Sequence, residues 1–298
     1  MRYTCGVSTH PNASLPHADP HAGGERAAAR GVVLAGGILA ASVIGFAAPT
    51  LTRDGLGIPA TTVALSQSPA ATAALMLGTF AALTVIAAVV GRSINAVVGL
   101  FVLGWGLMVF SMAGGNGSDA IFLGASMRAI GVETLLWGVV TAVGVVLVFR
   151  WSGALLDIPP RDPNAPFWRE YFDLDALRGG VAGLLLPVTA WFVVRNMMKG
   201  QAIGGAFLGG IAVGLVFRLA ASAVQPVLAF IAPILLTGAL QIITAGEVRA
   251  HLDAQFAAGS LSPLARMMPL DIVSGALIGV AIGIGWARSF KRSDTMSS

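Results

Sequence analysis

From Gly179 to Ala245 the chain carries only three side chains of fixed charge, Arg195, Lys199 and Arg218. A stretch that long cannot be the inside of a water-soluble domain, because almost nothing in it would face water. Its solvent is lipid. Composition agrees, with 56% hydrophobic and 11% charged residues and a mean hydropathy of +0.81, against about 25% charged residues in soluble domains. A hydrocarbon core about 30 Å thick takes about 20 apolar residues at 1.5 Å each. The informative quantity is therefore the number of apolar runs.

Eight runs read as spans: 31–51, 69–91, 95–112, 132–150, 179–198, 201–222, 226–245 and 269–287. The expected fold is all-α, a polytopic transmembrane bundle over residues 31–288. A disordered leader, 1–30, precedes it and a short polar tail, 289–298, follows. The leader is polar and proline-punctuated, with no apolar period; its His10, His17 and His21 lack the spacing and carboxylates of a metal site. The first run, behind Arg26 and Arg30, has the layout of a signal peptide with small residues at Gly45 and Ala47. It is long for a cleaved segment and Pro49 lies close to the cut, so an uncleaved helix is expected; cleavage would leave seven spans.

Local signals mark several boundaries. Ser68-Pro69 suits an N-cap and first helical position. Residues 113–118 are a glycine-rich loop, and 119–131 fit either an interfacial helix or an extension of the fourth span. Pro187 and Pro233 fall inside the fifth and seventh spans, where kinks are expected. Short interfacial helices are expected at 166–172 and around Val248, Leu252 and Phe256, which recur every four residues. Orientation follows from Lys and Arg. Alternating eight spans puts twelve on the face with both termini and five on the other, with Arg128 unassigned. The positive-inside rule then makes both termini cytoplasmic, in a bacterial-type inner membrane.

Glycines recur at four-residue intervals at Gly275, Gly279 and Gly283, and as the pairs Gly205 with Gly209 and Gly210 with Gly214. Small residues at that spacing let helix backbones approach closely. They serve packing within the chain, or self-association with a second copy or another membrane protein. A short likeness between 142–150 and 212–218 is of a kind that Ala, Val and Gly produce freely.

Charge near the bilayer marks the candidate polar or ion-handling residues. Arg128 and Glu133 lie near the outer end of the fourth span, though an i, i+5 spacing faces them poorly. Arg195 and Lys199, one turn apart, form a basic patch suited to an anion or to Glu133, or else snorkel to headgroups. Arg218 and Gln225 bracket the turn between spans six and seven. Thr237 and Gln241 suit interhelical hydrogen bonds. No phosphate loop, zinc helix or mid-membrane aspartate pair is present, and no histidine falls inside a span to serve a serine nucleophile. The lone Cys5 excludes an internal disulfide. No catalytic residue, metal or cofactor is expected, and a net charge of +4 gives no sign of nucleic-acid binding. The partner certain from composition is the bilayer. Small-solute transport is the leading expectation, ahead of a structural subunit of a membrane complex or a lipid-modifying enzyme.

Overall fold

The computed structural model describes residues 20–124, 126–153, 155, 157–158, 171, 173–247 and 256–294, and within them all side chains except those of 20–26, 246–247 and 291–294. Ten α-helices are described: α1 (Pro20–Ala47), α2 (Pro69–Ser93), α3 (Ala96–Met112), α4 (Gly117–Phe122), α5 (Met127–Ser152), α6 (Leu174–Gly180), α7 (Leu185–Val193), α8 (Lys199–Ala220), α9 (Val227–Glu247) and α10 (Pro269–Asp294). No strand occurs among the described residues; two isolated bridges, Arg53 to Pro59 and Asp54 to Ser66, tie the loop before α2. Seven helical stretches are long and apolar enough to cross a membrane, α6 and α7 counting as one through the 3-10 turn that joins them. The protein is a multi-pass helical bundle of membrane type. At 17 residues α3 is shorter, about 25 Å at 1.5 Å per residue. It nonetheless runs from beside Gly91 to Asp271, which lie at opposite ends of the bundle. The end where α3 finishes and α8 and α10 begin is called upper here.

Several boundaries differ from the sequence reading for identifiable reasons. The first helix starts at Pro20 instead of Gly31, because Ala27, Ala28 and Ala29 carry high helix propensity. The ambiguous stretch 119–131 divides. Asn116 and Asp119 close a capping box on α4, Gly124 turns at φ +69°, and residues 127–131 join α5. Pro69 is indeed the first residue of α2, but the Ser68 side chain caps nothing; Ser66 Oγ fixes the turn before it, accepting the Ser68 amide at 3.0 Å and meeting the Thr72 hydroxyl at 2.6 Å. The fifth span opens at Leu174 and tightens into a 3-10 turn at Val181–Leu184. There a Cβ on Gly183 would lie 2.9 Å from the Pro233 nitrogen, so the fifth and seventh spans touch backbone to backbone where α9 lacks an amide hydrogen. The expected interfacial residues 166–170, 172 and 248–255 lie outside the described set, as do His10 and His17.

The helix α10 is the axis of the bundle: every residue from Met267 to Ala281 is buried. Around it stand α3, α5, α8 and α9, with α1 and α2 outside α3. The α8–α10 crossing is the most extensive and is made of glycine. A Cβ on Gly279 would stand 2.1 Å from the Phe207 oxygen, and one on Gly214 2.4 Å from the Val280 oxygen. A Cβ on Gly210, Gly275 or Gly283 would likewise lie 2.9, 2.7 or 2.2 Å from backbone across the same crossing, while Gly205 and Gly209 pack on Val194 and Leu186, just after and within α7. All seven glycines singled out by spacing thus serve contacts inside the chain. In lipid, where burial of apolar surface supplies no drive, such contact stabilises by van der Waals attraction.

Candidate functional site

The α8–α10 pair is free of ionisable side chains between Lys199 and Arg218 on one helix and between Asp271 and Arg288 on the other. These intervals measure about 28 and 25 Å at 1.5 Å per residue, close to the thickness of a hydrocarbon core. An ion-pair cluster sits at each end.

At the upper end, Lys199 opens α8 and Asp271 lies in the first turn of α10, where the helix dipole favours a carboxylate. Lys199 Nζ lies 3.2 Å from Asp271 Oδ1 and 3.2 Å from Ser111 Oγ, and Ser111 donates to the same carboxylate oxygen. Asp271 Oδ2 accepts the Met268 amide at 3.4 Å. The side chains are 10% exposed for Lys199 and 1% for Asp271, so the pair is shielded from water on almost every side. Three helices, α3, α8 and α10, are joined through this one carboxylate.

Above it lies a pocket of about 360 Å³ lined by Arg195, Arg266, Asn116, Ser118 and Met198, among others. Each wall is tethered to the cluster by chain: Met198 precedes Lys199, and Asn116 and Arg266 each lie five residues from Ser111 and Asp271. Arg266 is spent on backbone. Its Nη2 donates to Leu261 O at 2.6 Å and Gly259 O at 3.1 Å, and its Nη1 to Arg195 O. Burial, and then the charge of Arg195, pull its guanidinium below the usual arginine pKa. Two guanidinium charges therefore line one small pocket, and among the described residues no acid is paired with either.

The four candidates of the sequence reading fall in four places. Glu133 pairs with neither Arg128 nor the basic residues. It is buried against the loop before α2, taking the Thr62 hydroxyl at 2.5 Å and the amides of Val63 and Ala64 at 3.0 and 3.2 Å. Arg128 is exposed at the start of α5. Arg195 belongs to the pocket and Lys199 to the cluster beneath it. Gln241 does bridge helices as expected, accepting from Thr134 at 2.7 Å and donating to Leu264 O and Met267 O, whereas the Thr237 hydroxyl turns back to Pro233 O.

At the lower end Arg218, 2% exposed, meets Asp157 at 2.5 Å, and Arg288 meets its other oxygen at 2.7 Å. Burial raises the Asp157 pKa, but hydrogen bonds from both arginines and their charges more than offset this and hold it below the usual carboxylate value. Sequence reasoning missed Ser111, Arg266, Asp157 and the ion pair of Asp271 with Lys199. The available signal was depth: a lysine and a carboxylate in the first turns of two spans entering from the same side. Among the described residues no group of three metal-ligating side chains forms. Comparison with known protein families, curated proteins and solved structures gives no match to this chain.

Proposed function

We propose that the protein passes a small anionic solute across a bacterial-type inner membrane, with both termini cytoplasmic and the basic pocket open to the far side. The observation that carries this is the stacking of that pocket over the Lys199–Asp271–Ser111 cluster. Two guanidinium groups without an acidic partner among the described residues would concentrate an anion at the mouth. The ion pair below closes the way at the level where α3, α8 and α10 meet. A solute that competes for Lys199 would release Asp271 from it. The glycine crossing between α8 and α10 is built largely of backbone contact, a surface on which one helix would slide on the other.

The charge distribution in sequence, twelve basic residues against five, supports the orientation. The assembly-subunit reading loses its main support, because the glycine faces it would dock through are occupied within the chain. Two measurements test the proposal together. On a Cys5→Ala background, cysteines placed at Leu185, Thr189, Leu236 and Leu240 are exposed to a membrane-impermeant maleimide. Labelling that changes on adding chloride, nitrate, formate or phosphate is expected. The second is the stabilisation of purified protein by the same anions, expected for wild type and lost in Arg195→Gln. Uniform protection of all four cysteines, with no anion effect on stability, would overturn it.

A further inference from the structure

A second cavity, unrelated to the solute path, opens sideways between α2 and α5 and has a volume of about 760 Å³. It lies within the range of ligand-holding pockets, about 300–1,000 Å³. Its walls are apolar, including Leu77, Val132, Leu136 and Val139, which are 43–61% exposed. In a lipid-facing position, side chains so exposed lie against acyl chains. Its lining includes Trp137, whose ring is tilted against that of Phe80 with centroids 5.8 Å apart. The buried carboxylate of Glu133, which also lines it, is held by three hydrogen bonds from the loop that roofs it.

Its depth is specific. Along α5 it runs from Ser126 to Val140, about 21 Å at 1.5 Å per residue. The helix, 26 residues long, exceeds the about 30 Å core by roughly one turn at each end. The groove therefore begins at headgroup level and stops near the midplane. It stops because α2 and α5 close on each other there: a Cβ on Gly144 would lie 2.7 Å from Phe80 and 3.3 Å from Thr84. A partner's transmembrane helix would run past the closed end of the groove into the other leaflet, whereas an acyl chain ends at the midplane. This groove accepts one leaflet's depth only. At its headgroup end stands Arg128, exposed, and without a hydrogen-bonded or ion-paired partner among the described residues.

We propose that this groove holds one phospholipid with an anionic headgroup, its phosphate region on Arg128 and an acyl chain along Leu136 and Val140. Such a lipid would also press on the loop that Glu133 fastens, since Val63 and Ala64 form the roof.

The test is native mass spectrometry of the full chain in mild detergent, titrated with phosphatidylglycerol or phosphatidylcholine. Wild type is expected to retain one phosphatidylglycerol in preference to phosphatidylcholine by about fivefold, the ratio corresponding to about 1 kcal/mol for one basic residue at a charged lipid surface. Arg128→Gln should abolish the preference and Arg128→Lys restore it. Leu136→Trp, which fills the groove, should lower retention of both lipids. Because Arg128 is exposed, the glutamine variant does not endanger folding. Equal retention of the two lipids by wild type would overturn the proposal, as would an unchanged preference in Arg128→Gln. Displacement of the lipid by glycerophosphate alone would also overturn it, marking a headgroup site without a chain site. So would a lipid-free dimer that Leu136→Trp dissociates, since the groove would then belong to a second copy.

Discussion

Removal of one partner from the Lys199–Asp271 pair tests whether the upper cluster is as dry as its geometry implies. Lys199→Met keeps the length of the side chain and deletes its charge. Asp271, 1% exposed, would then keep only the Ser111 hydroxyl and the long Met268 contact. Breaking a buried pair by removing one partner costs about 3–5 kcal/mol, because the remaining charge stays desolvated. That corresponds to roughly two to four decades in the unfolding equilibrium. Asp271→Asn should cost less, since Lys199 sits nearer the rim and can turn its ammonium toward water. The double variant, neutral on both sides with the Ser111 bond retained, should return to within about 1 kcal/mol of wild type, as neutral replacements of buried pairs often do. Equilibrium unfolding in mixed micelles, followed by tryptophan fluorescence, gives the three values and their coupling. A loss below about 1 kcal/mol for Lys199→Met, or simple additivity in the double variant, would refute the reasoning: it would mean that water reaches the carboxylate.

Three further predictions follow from other regions. Gly279→Ala places a methyl 2.1 Å from the Phe207 oxygen and should cost about 1–3 kcal/mol through overpacking, while Gly285→Ala, with nothing within 4 Å, should stay within about 0.5 kcal/mol in the same unfolding assay. Glu133→Gln keeps one acceptor oxygen and turns donors toward amides that already donate. It should cost about 1–3 kcal/mol and show as faster hydrogen exchange at Val63 and Ala64. Asp157 supplies a pH signature: its folded pKa lies below the ordinary 3.8, so its contribution to stability is complete above that value and disappears as pH falls through the lower one. Asp157→Asn should remove that acid-side decline in a stability–pH curve, and an unchanged curve would count against the ion pairs with Arg218 and Arg288.

The spans were readable because lipid imposes a length and an apolar composition on contiguous residues. Gly275, Gly279 and Gly283 were readable for the same reason, being one face of one helix. The clusters were not. Ser111 and Asp271 are 160 positions apart, and Arg218 and Asp157 are 61 apart, so no local pattern links them. Glu133 shows the limit sharply. Its nearest charged neighbour in sequence is Arg128, yet the loop before α2 gives it a hydroxyl and two amides, a better fit for a buried carboxylate than one exposed guanidinium. Arg195 and Lys199 looked like a pair because they are one turn apart on paper. The chain breaks its helix between them, and the two charges go to different jobs.

The burial of α10 bears on how the protein is made. Every described helix that packs on it precedes it in the chain, and α3 leaves the ribosome about 160 residues earlier, on the order of ten seconds or more of synthesis. Throughout that interval α3 has no Asp271 to meet; over its last part, once α8 is made, Lys199 lacks Asp271 and the glycine face of α8 lies open to lipid or to other nascent helices. The bundle is therefore most vulnerable to quality-control proteases just before its axis arrives, and slowed translation between α9 and α10 should lower yield more than an equal delay earlier.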